Sequence, residues 1–233
     1  MNPLRWVDEE LEALARKHLL RELPAPLLKQ GAVIECDGRR LVNFASNDYL
    51  GLAGDERLIR ATAEAVYAEG VGRGSSPLIC GRGEAHAGLE RRLAEFESAE
   101  GALLFPSGFA ANTGIIPALV DRGDAIFADA KNHASLIDGC RLSRAETHVY
   151  PHGNVDALER LLQQAHARRR LIVTDTLFSM DGDLAPLAAI AELARRYEAM
   201  LLLDEAHATG VFGPHGRGVA EALNVEGEGV IRV

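Results

Sequence analysis

Leu201-Leu-Leu-Asp204-Glu-Ala-His207-Ala-Thr-Gly210 decides how this chain is read. Three apolar residues run into an acid, and a histidine follows three positions after it. The run is too short for a helix and is flanked by loop residues, so it predicts a buried strand. In an open parallel sheet, ligands bind beyond the carboxyl ends of the strands. Asp204 and His207 fall where such a strand hands polar groups to a ligand. Taken alone, the stretch fits equally an acid capping the next element and a histidine on a surface loop. The surrounding chain decides between the two.

Upstream, short apolar runs alternate with amphipathic segments. Strands are predicted at 102–105, 124–129, 146–150, 170–175 and 199–204, and helices at 86–98, 107–120, about 133–143, 155–167 and 186–198. Pro186 sits in the first turn of its helix, where proline is tolerated. Val230-Ile231-Arg232-Val233 reads as the start of one more strand, an unusual place for an open sheet to finish. Strands alternating with helices of this length predict crossover units. The expected fold class is α/β, three-layer αβα, with a mostly parallel sheet.

The N-terminal part differs. Residues 4–20 carry apolar positions at helical spacing, and Leu23-Pro24-Ala25-Pro26 is expected to end that helix. Arg21, just before the break, reads by itself as a solvated helix-end cation. Apolar runs at 32–36 and 40–44 flank Asp37-Gly38, a hairpin signal. Residues 45–52 form a polar loop containing Asn47, and a helix is predicted at 56–69. Residues 70–83 hold five glycines, too many for a regular element. The expected division is an arm at 1–50 and a large domain at 51–233.

Composition narrows the function classes. The chain has 233 residues, 47% hydrophobic and 25% charged, which is ordinary for a globular protein. A net charge of −9 argues against nucleic-acid and membrane surfaces. No apolar run approaches a membrane span, and no secretory signal opens the chain. Cys36, Cys80 and Cys140 are widely spaced and odd in number, which suits reduced thiols in a cytoplasmic protein with no zinc or disulfide framework.

The predicted strand ends collect Ser107-Gly108-Phe109, His133, Asp175 with Ser179, and Asp204 with His207. Ser107 would cap a helix whose first N–H groups lack partners, an anion site by construction. A plain serine cap is the simpler reading. Together the groups suit a phosphorylated aromatic cofactor, with a carboxylate for a protonated ring nitrogen as in pyridoxal phosphate enzymes.

Five segments carry a resemblance. Ser46-Asn-Asp-Tyr-Leu-Gly-Leu52, Phe105-Pro-Ser-Gly-Phe-Ala-Ala-Asn112, Asn132-His-Ala-Ser-Leu-Ile-Asp-Gly139, Phe178-Ser-Met-Asp-Gly-Asp183 and Asp204-Glu-Ala-His-Ala-Thr-Gly210 resemble the α-oxoamine synthases, of the aspartate-aminotransferase-like pyridoxal phosphate enzymes. The likeness runs in order from about residue 20 to the end. It implies an aspartate-aminotransferase-like large domain and decarboxylative condensation of an amino acid with an acyl thioester on coenzyme A or acyl carrier protein. The pairing of Phe105-Pro-Ser-Gly-Phe with Tyr150-Pro-His-Gly-Asn is nearest to members that join L-alanine to a pimeloyl thioester in biotin synthesis. Members using glycine and acetyl-CoA are the close alternative.

The same resemblance implies roles. Ser107 and the backbone of Gly108 and Phe109 would lie at the cofactor. His133 would stack on its ring and contact substrate, Asp204 would pair with the ring nitrogen, His207 would bond the phenolic oxygen, and Ser179 would add a contact. His133, Asp204 and His207 are the expected catalytic residues. Arg21 matches a substrate-contacting position suited to a carboxylate, and Asn47 is a second substrate candidate. The loop 70–83 would lie near the interface of a homodimer. Such enzymes also use a lysine in a Ser/Thr-x-x-Lys-type segment after the next strand, yet no lysine follows Lys131 here. The expectation is therefore an N-terminal part, lacking the small domain and the Schiff-base nucleophile, and inactive by itself.

Three rivals stand beside this reading. Asp204-Glu-Ala-His207 also resembles the acidic box of DEAH helicases, which needs a Gly-Lys phosphate loop that the chain lacks. A metal hydrolase could draw on His133, Asp204 and His207, without a supporting histidine or cysteine spacing. A non-catalytic remnant would bind the cofactor without a covalent link.

Overall fold

The structure, a computed structural model, describes residues 2–23, 31–36 and 38–233. The chain divides into two compact units, residues 1–64 and 65–233.

The first unit contains α1 (Arg5–Arg16), β1 (Val33–Cys36), β2 (Arg39–Val42) and most of α2 (Glu56–Glu69). Helix α1 is shorter than the 4–20 expected. His18 adopts a left-handed φ of 55°, and the N–H groups of His18 and Leu19 donate to the carbonyls of Ala15 and Leu14. This pairing closes the last turn before the proline segment is reached. Residues 24–30, with both prolines, and Asp37 of the hairpin turn lie outside the described residues. Strands β1 and β2 pair antiparallel, Cys36 opposite Arg39.

The second unit continues with α3 (Glu84–Glu97), α4 (Gly108–Leu119), β3 (Ala125–Asp129), α5 (Ala134–Ser143), β4 (Glu146–Tyr150), α6 (Val155–Gln164), β5 (Arg170–Asp175), α7 (Leu187–Arg196), β6 (Met200–Asp204), α8 (Val219–Ala222) and β7 (Val230–Arg232). The sheet runs β4-β3-β5-β6-β7 and every pairing in it is parallel. The strand period of two sends alternate side chains to opposite faces. Ile126, Ala128, Leu171, Val173 and Leu202 pack with Ile116 of α4 and with Leu136 and Cys140 of α5. Phe127, Ile172, Leu201 and Leu203 pack on the other face, with Leu158 of α6, Ile190 of α7 and Val219 of α8. The result is the three-layer αβα arrangement expected. Each fully buried Leu, Ile, Val or Phe side chain among these contributes about 1.5–3 kcal/mol.

Two expectations fail here. Residues 102–105 form no strand. Leu103 is 77% exposed. Four apolar residues without a neighbouring strand have no ladder to join. Conversely, the glycine-rich loop holds one regular turn, a π-helical segment at Pro77–Gly81. It closes because Gly81 lacks a side chain: a Cβ there would lie 1.9 Å from the carbonyl oxygen of Ser75.

Helices α4 and α5 approach closely at Gly139, where a Cβ would meet Ile116 Cδ1 at 2.7 Å and the Asn112 carbonyl oxygen at 2.8 Å. We expect Gly139→Ala to destabilise the protein by about 1–3 kcal/mol through overpacking. Urea unfolding of the variant measures this, and an unchanged midpoint would show that the two helices can part without cost.

Candidate active site

The chain order reverses at β3, since β4 flanks it on one side and β5 on the other. Crevices at such a switch point, beyond the carboxyl ends of the strands, are where ligands bind in open sheets. Asn132 and His133 follow β3, and Asp175 ends β5. Asp204 ends β6 and is the register partner of Asp175.

Asp204 is buried. Its Oδ1 accepts the Ala206 N–H at 3.0 Å, and its Oδ2 accepts Asn112 Nδ2 at 2.7 Å. Asn112 Nδ2 also donates to Ser135 Oγ at 2.9 Å. Ser135 Oγ lies 2.7 Å from Nδ1 of His133, and the Ser135 N–H donates to the same nitrogen at 3.3 Å. The exposed His133 thus caps α5 with its ring while its own N–H donates to Asp175 Oδ2 at 2.8 Å. Asp175 is buried, and that burial, with Asp204 alongside, pushes its carboxyl up to about 6.

The amino end of α4 is close by, because Asn112 stands about one turn into that helix. Ser107 caps it, its Oγ accepting the Ala110 N–H at 3.1 Å. Among the described residues the N–H groups of Gly108 and Phe109 keep no partner in the helix. They remain free for an anion, where the helix dipole is positive.

Asp204, His133 and the Ser107-Gly108-Phe109 turn therefore come together. His207 sits half-buried in the turn after β6. Ser179 is exposed at the turn of the 177–184 loop, which closes on itself through a Leu177–Leu184 bridge. That loop is tied down at other residues. His152 bonds Asp129 and Asp183, each at 2.8 Å, and Lys131 pairs with Asp181. Arg21 and Asn47 are exposed coil residues of the first unit.

Sequence reasoning passed over Asn112 and Ser135 as site residues and left Asp175 without a role. Asn112 sits in a mostly apolar helix, the available signal, since asparagine is poorly suited to a helix interior without a specific bond. Glu205 was also unassigned. Its buried carboxylate takes Thr176 Oγ1 at 2.7 Å and the N–H groups of Val219 and Ala220 at 3.0 and 2.8 Å. It ties the start of α8 to the segment that follows β6 and to Thr176. Among the described residues no cluster of three or more His, Cys, Asp or Glu is placed to hold a metal ion. Among them no helix is long and apolar enough to cross a membrane.

A parallel αβα sheet with an anion-ready helix end, a buried acid and a ring-bearing cap defines an aminotransferase-like α/β protein. The chain belongs to the aminotransferase class I and II family, whose profile matches residues 39–231. It is 56% identical over 223 residues to an 8-amino-7-oxononanoate synthase of Anaeromyxobacter sp. (strain Fw109-5), covering 96% of this chain and 56% of that protein. It is 53% identical over 222 residues to the 8-amino-7-oxononanoate synthase of Geobacter sulfurreducens, covering 95% and 57%. The chain thus spans about half the length of the curated relatives it matches. Among solved structures, a serine palmitoyltransferase from S. paucimobilis with a bound PLP–myriocin aldimine superimposes with a TM-score of 0.87 at 32% identity, covering 98% of this chain and 59% of that one. The 8-amino-7-oxononanoate synthase from Francisella tularensis gives 0.65 at 31% identity, covering 78% and 50%.

Proposed function

We propose that this chain is the cofactor-holding part of a pyridoxal phosphate-dependent acyltransferase that joins L-alanine to a pimeloyl thioester, giving 8-amino-7-oxononanoate. The observation that carries the reading is the buried Asp204 carboxylate, held by two N–H donors beside the free amino end of α4. The identity to 8-amino-7-oxononanoate synthases supports the substrates.

The residues present fit the cofactor. The N–H groups of Gly108 and Phe109 bind its phosphate, with Ser107 shaping the turn. Asp204 holds the proton on the ring nitrogen and balances its charge. The His133 ring would stack on the cofactor ring, His207 would bond its phenolic oxygen, and Ser179 would add a contact. When bound, the cofactor supplies an electron sink for the carbanion left by decarboxylation. Arg21 takes the distal carboxylate of the acyl chain and Asn47 assists. The whole enzyme is a cytoplasmic homodimer, with the 70–83 loop near the interface.

Lys131, the only lysine of the second unit, is paired with Asp181. The chain by itself therefore binds pyridoxal phosphate without a covalent link and forms no product from L-alanine and a pimeloyl thioester. Equilibrium dialysis with the cofactor, followed by borohydride reduction and mass analysis, tests this. Saturable binding with no reduced adduct is expected. Absence of saturable binding would sink the reading, and an adduct at Lys131 would overturn the role denied to that residue.

A further inference from the structure

We propose that Asn112 and Ser135 are positioning residues, forming a hydrogen-bond relay, with Asn112 donating to both sides, that holds His133 as its Nε2–H tautomer and ties the ring to the Asp204 carboxylate. The consequence for catalysis rests on the functional reading above. The relay itself rests only on geometry.

Direction follows from what each group can donate. The Asp204 carboxylate accepts only. The Asn112 atom 2.7 Å from it must be the amide nitrogen, since the carbonyl oxygen would place two acceptors face to face. The other amide hydrogen goes to Ser135 Oγ at 2.9 Å. That hydroxyl lies 2.7 Å from His133 Nδ1, and because the Ser135 N–H is aimed at that nitrogen the hydroxyl is assigned as a donor to it. The Ser135 N–H converges on the same nitrogen. Two donors on Nδ1 require its lone pair, so the ring proton sits on Nε2.

Burial makes the arrangement strict. Asn112 and Ser135 are 1% and 0% exposed, so water cannot replace a lost partner. Asn112 Oδ1 has no hydrogen-bond partner among the described residues. Leaving a buried carbonyl oxygen bare is unfavourable, and the amide stays in this orientation because both its hydrogens are used by Asp204 and Ser135. Gly139 lets the helices close enough for that reach. The relay leaves Nε2–H as the donor on the exposed side of His133, suited to an oxygen of cofactor or substrate.

The test reads the His133 ring nitrogens by NMR of isotope-labelled chain at mildly alkaline pH. Wild type is expected to show Nε2 protonated, with the Nδ1 signal displaced by the bonds it accepts. Ser135→Ala should lose that displacement and populate the Nδ1–H form, and Ser135→Thr should restore it. Asn112→Ala, which never touches the ring, should move the same signal part of the way. A packing role alone predicts no tautomer change. Protonated Nδ1 in wild type, or a signal unmoved in Ser135→Ala, would overturn the relay, and the serine variants decide even where Asn112→Ala does not fold. Pyridoxal phosphate binding, measured separately, should weaken about tenfold or more in Asn112→Ala, since its bond is to a charged oxygen. Tautomer shifts without any cofactor binding in wild type support the relay and overturn the functional reading. Cofactor binding with unmoved signals does the reverse.

Discussion

Asp204→Asn is expected to lower affinity for pyridoxal phosphate on the order of 100-fold, the loss typical of a buried charge pair. The carboxylate accepts Asn112 Nδ2 at 2.7 Å and the Ala206 N–H at 3.0 Å. Both donors fix the orientation of the carboxylate, leaving it placed to oppose a protonated ring nitrogen. Asparagine removes that charge. Its amide nitrogen must also face one of the two N–H donors, setting donor against donor. Equilibrium dialysis gives the affinity, and hydrogen exchange checks that the variant is folded. Unchanged affinity in a folded variant would remove Asp204 from its role.

Asp175→Asn is expected to stabilise the protein at a pH of about 8 by about 2–3 kcal/mol, and to do little at a pH of about 4. Burial is the main cause that lifts this carboxyl from 3.8 to about 6. Its folded value is the higher one, so the folded state binds more protons than the unfolded state between those limits. Stability attributable to Asp175 therefore falls as pH rises through that window. Asparagine keeps an acceptor for the His133 N–H but carries no charge to bury. Urea unfolding across that range measures the effect, and parallel profiles for the two proteins would show that Asp175 is not the group responsible. Asp124 works in the opposite sense. Hydrogen bonds from Arg168 and Arg169 hold its carboxyl well below the usual range. Its contribution is present above the unfolded value of 3.8 and is lost as the solution is acidified. The chain retains a destabilising acid at Asp175 next to Asp204, the pattern of a site kept for chemistry at some expense of stability.

Strand β6 shows how far local pattern reaches. Leu201-Leu-Leu-Asp204 announced a buried strand with an acid at its carboxyl end, and β6 pairs in parallel on both sides. Ser107 likewise announced a helix start, and its hydroxyl makes that cap. These features are legible because strand and helix periods place apolar residues on a face, and capping is settled within a few residues. The boundaries were less legible. Helix α1 stops at Arg16 because a left-handed residue satisfies its last carbonyls, and nothing in the apolar spacing marks His18 for that conformation. At 102–105 the apolar run looked like a strand, but a strand exists only where a neighbour completes its hydrogen bonds.

The sequence by itself determined the alternating α/β order, the parallel three-layer class, and the presence of Asp204, His133 and Ser107 at element ends. Only the tertiary structure decided that Asn112 and Ser135 join them. Asn112 and Asp204 are separated by 92 residues. Their contact depends on α4 lying against α5 at Gly139 and on both helices covering one face of the sheet. Periodicity tells each segment which face to bury. It carries no information about which distant polar side chain will meet another once those faces are closed.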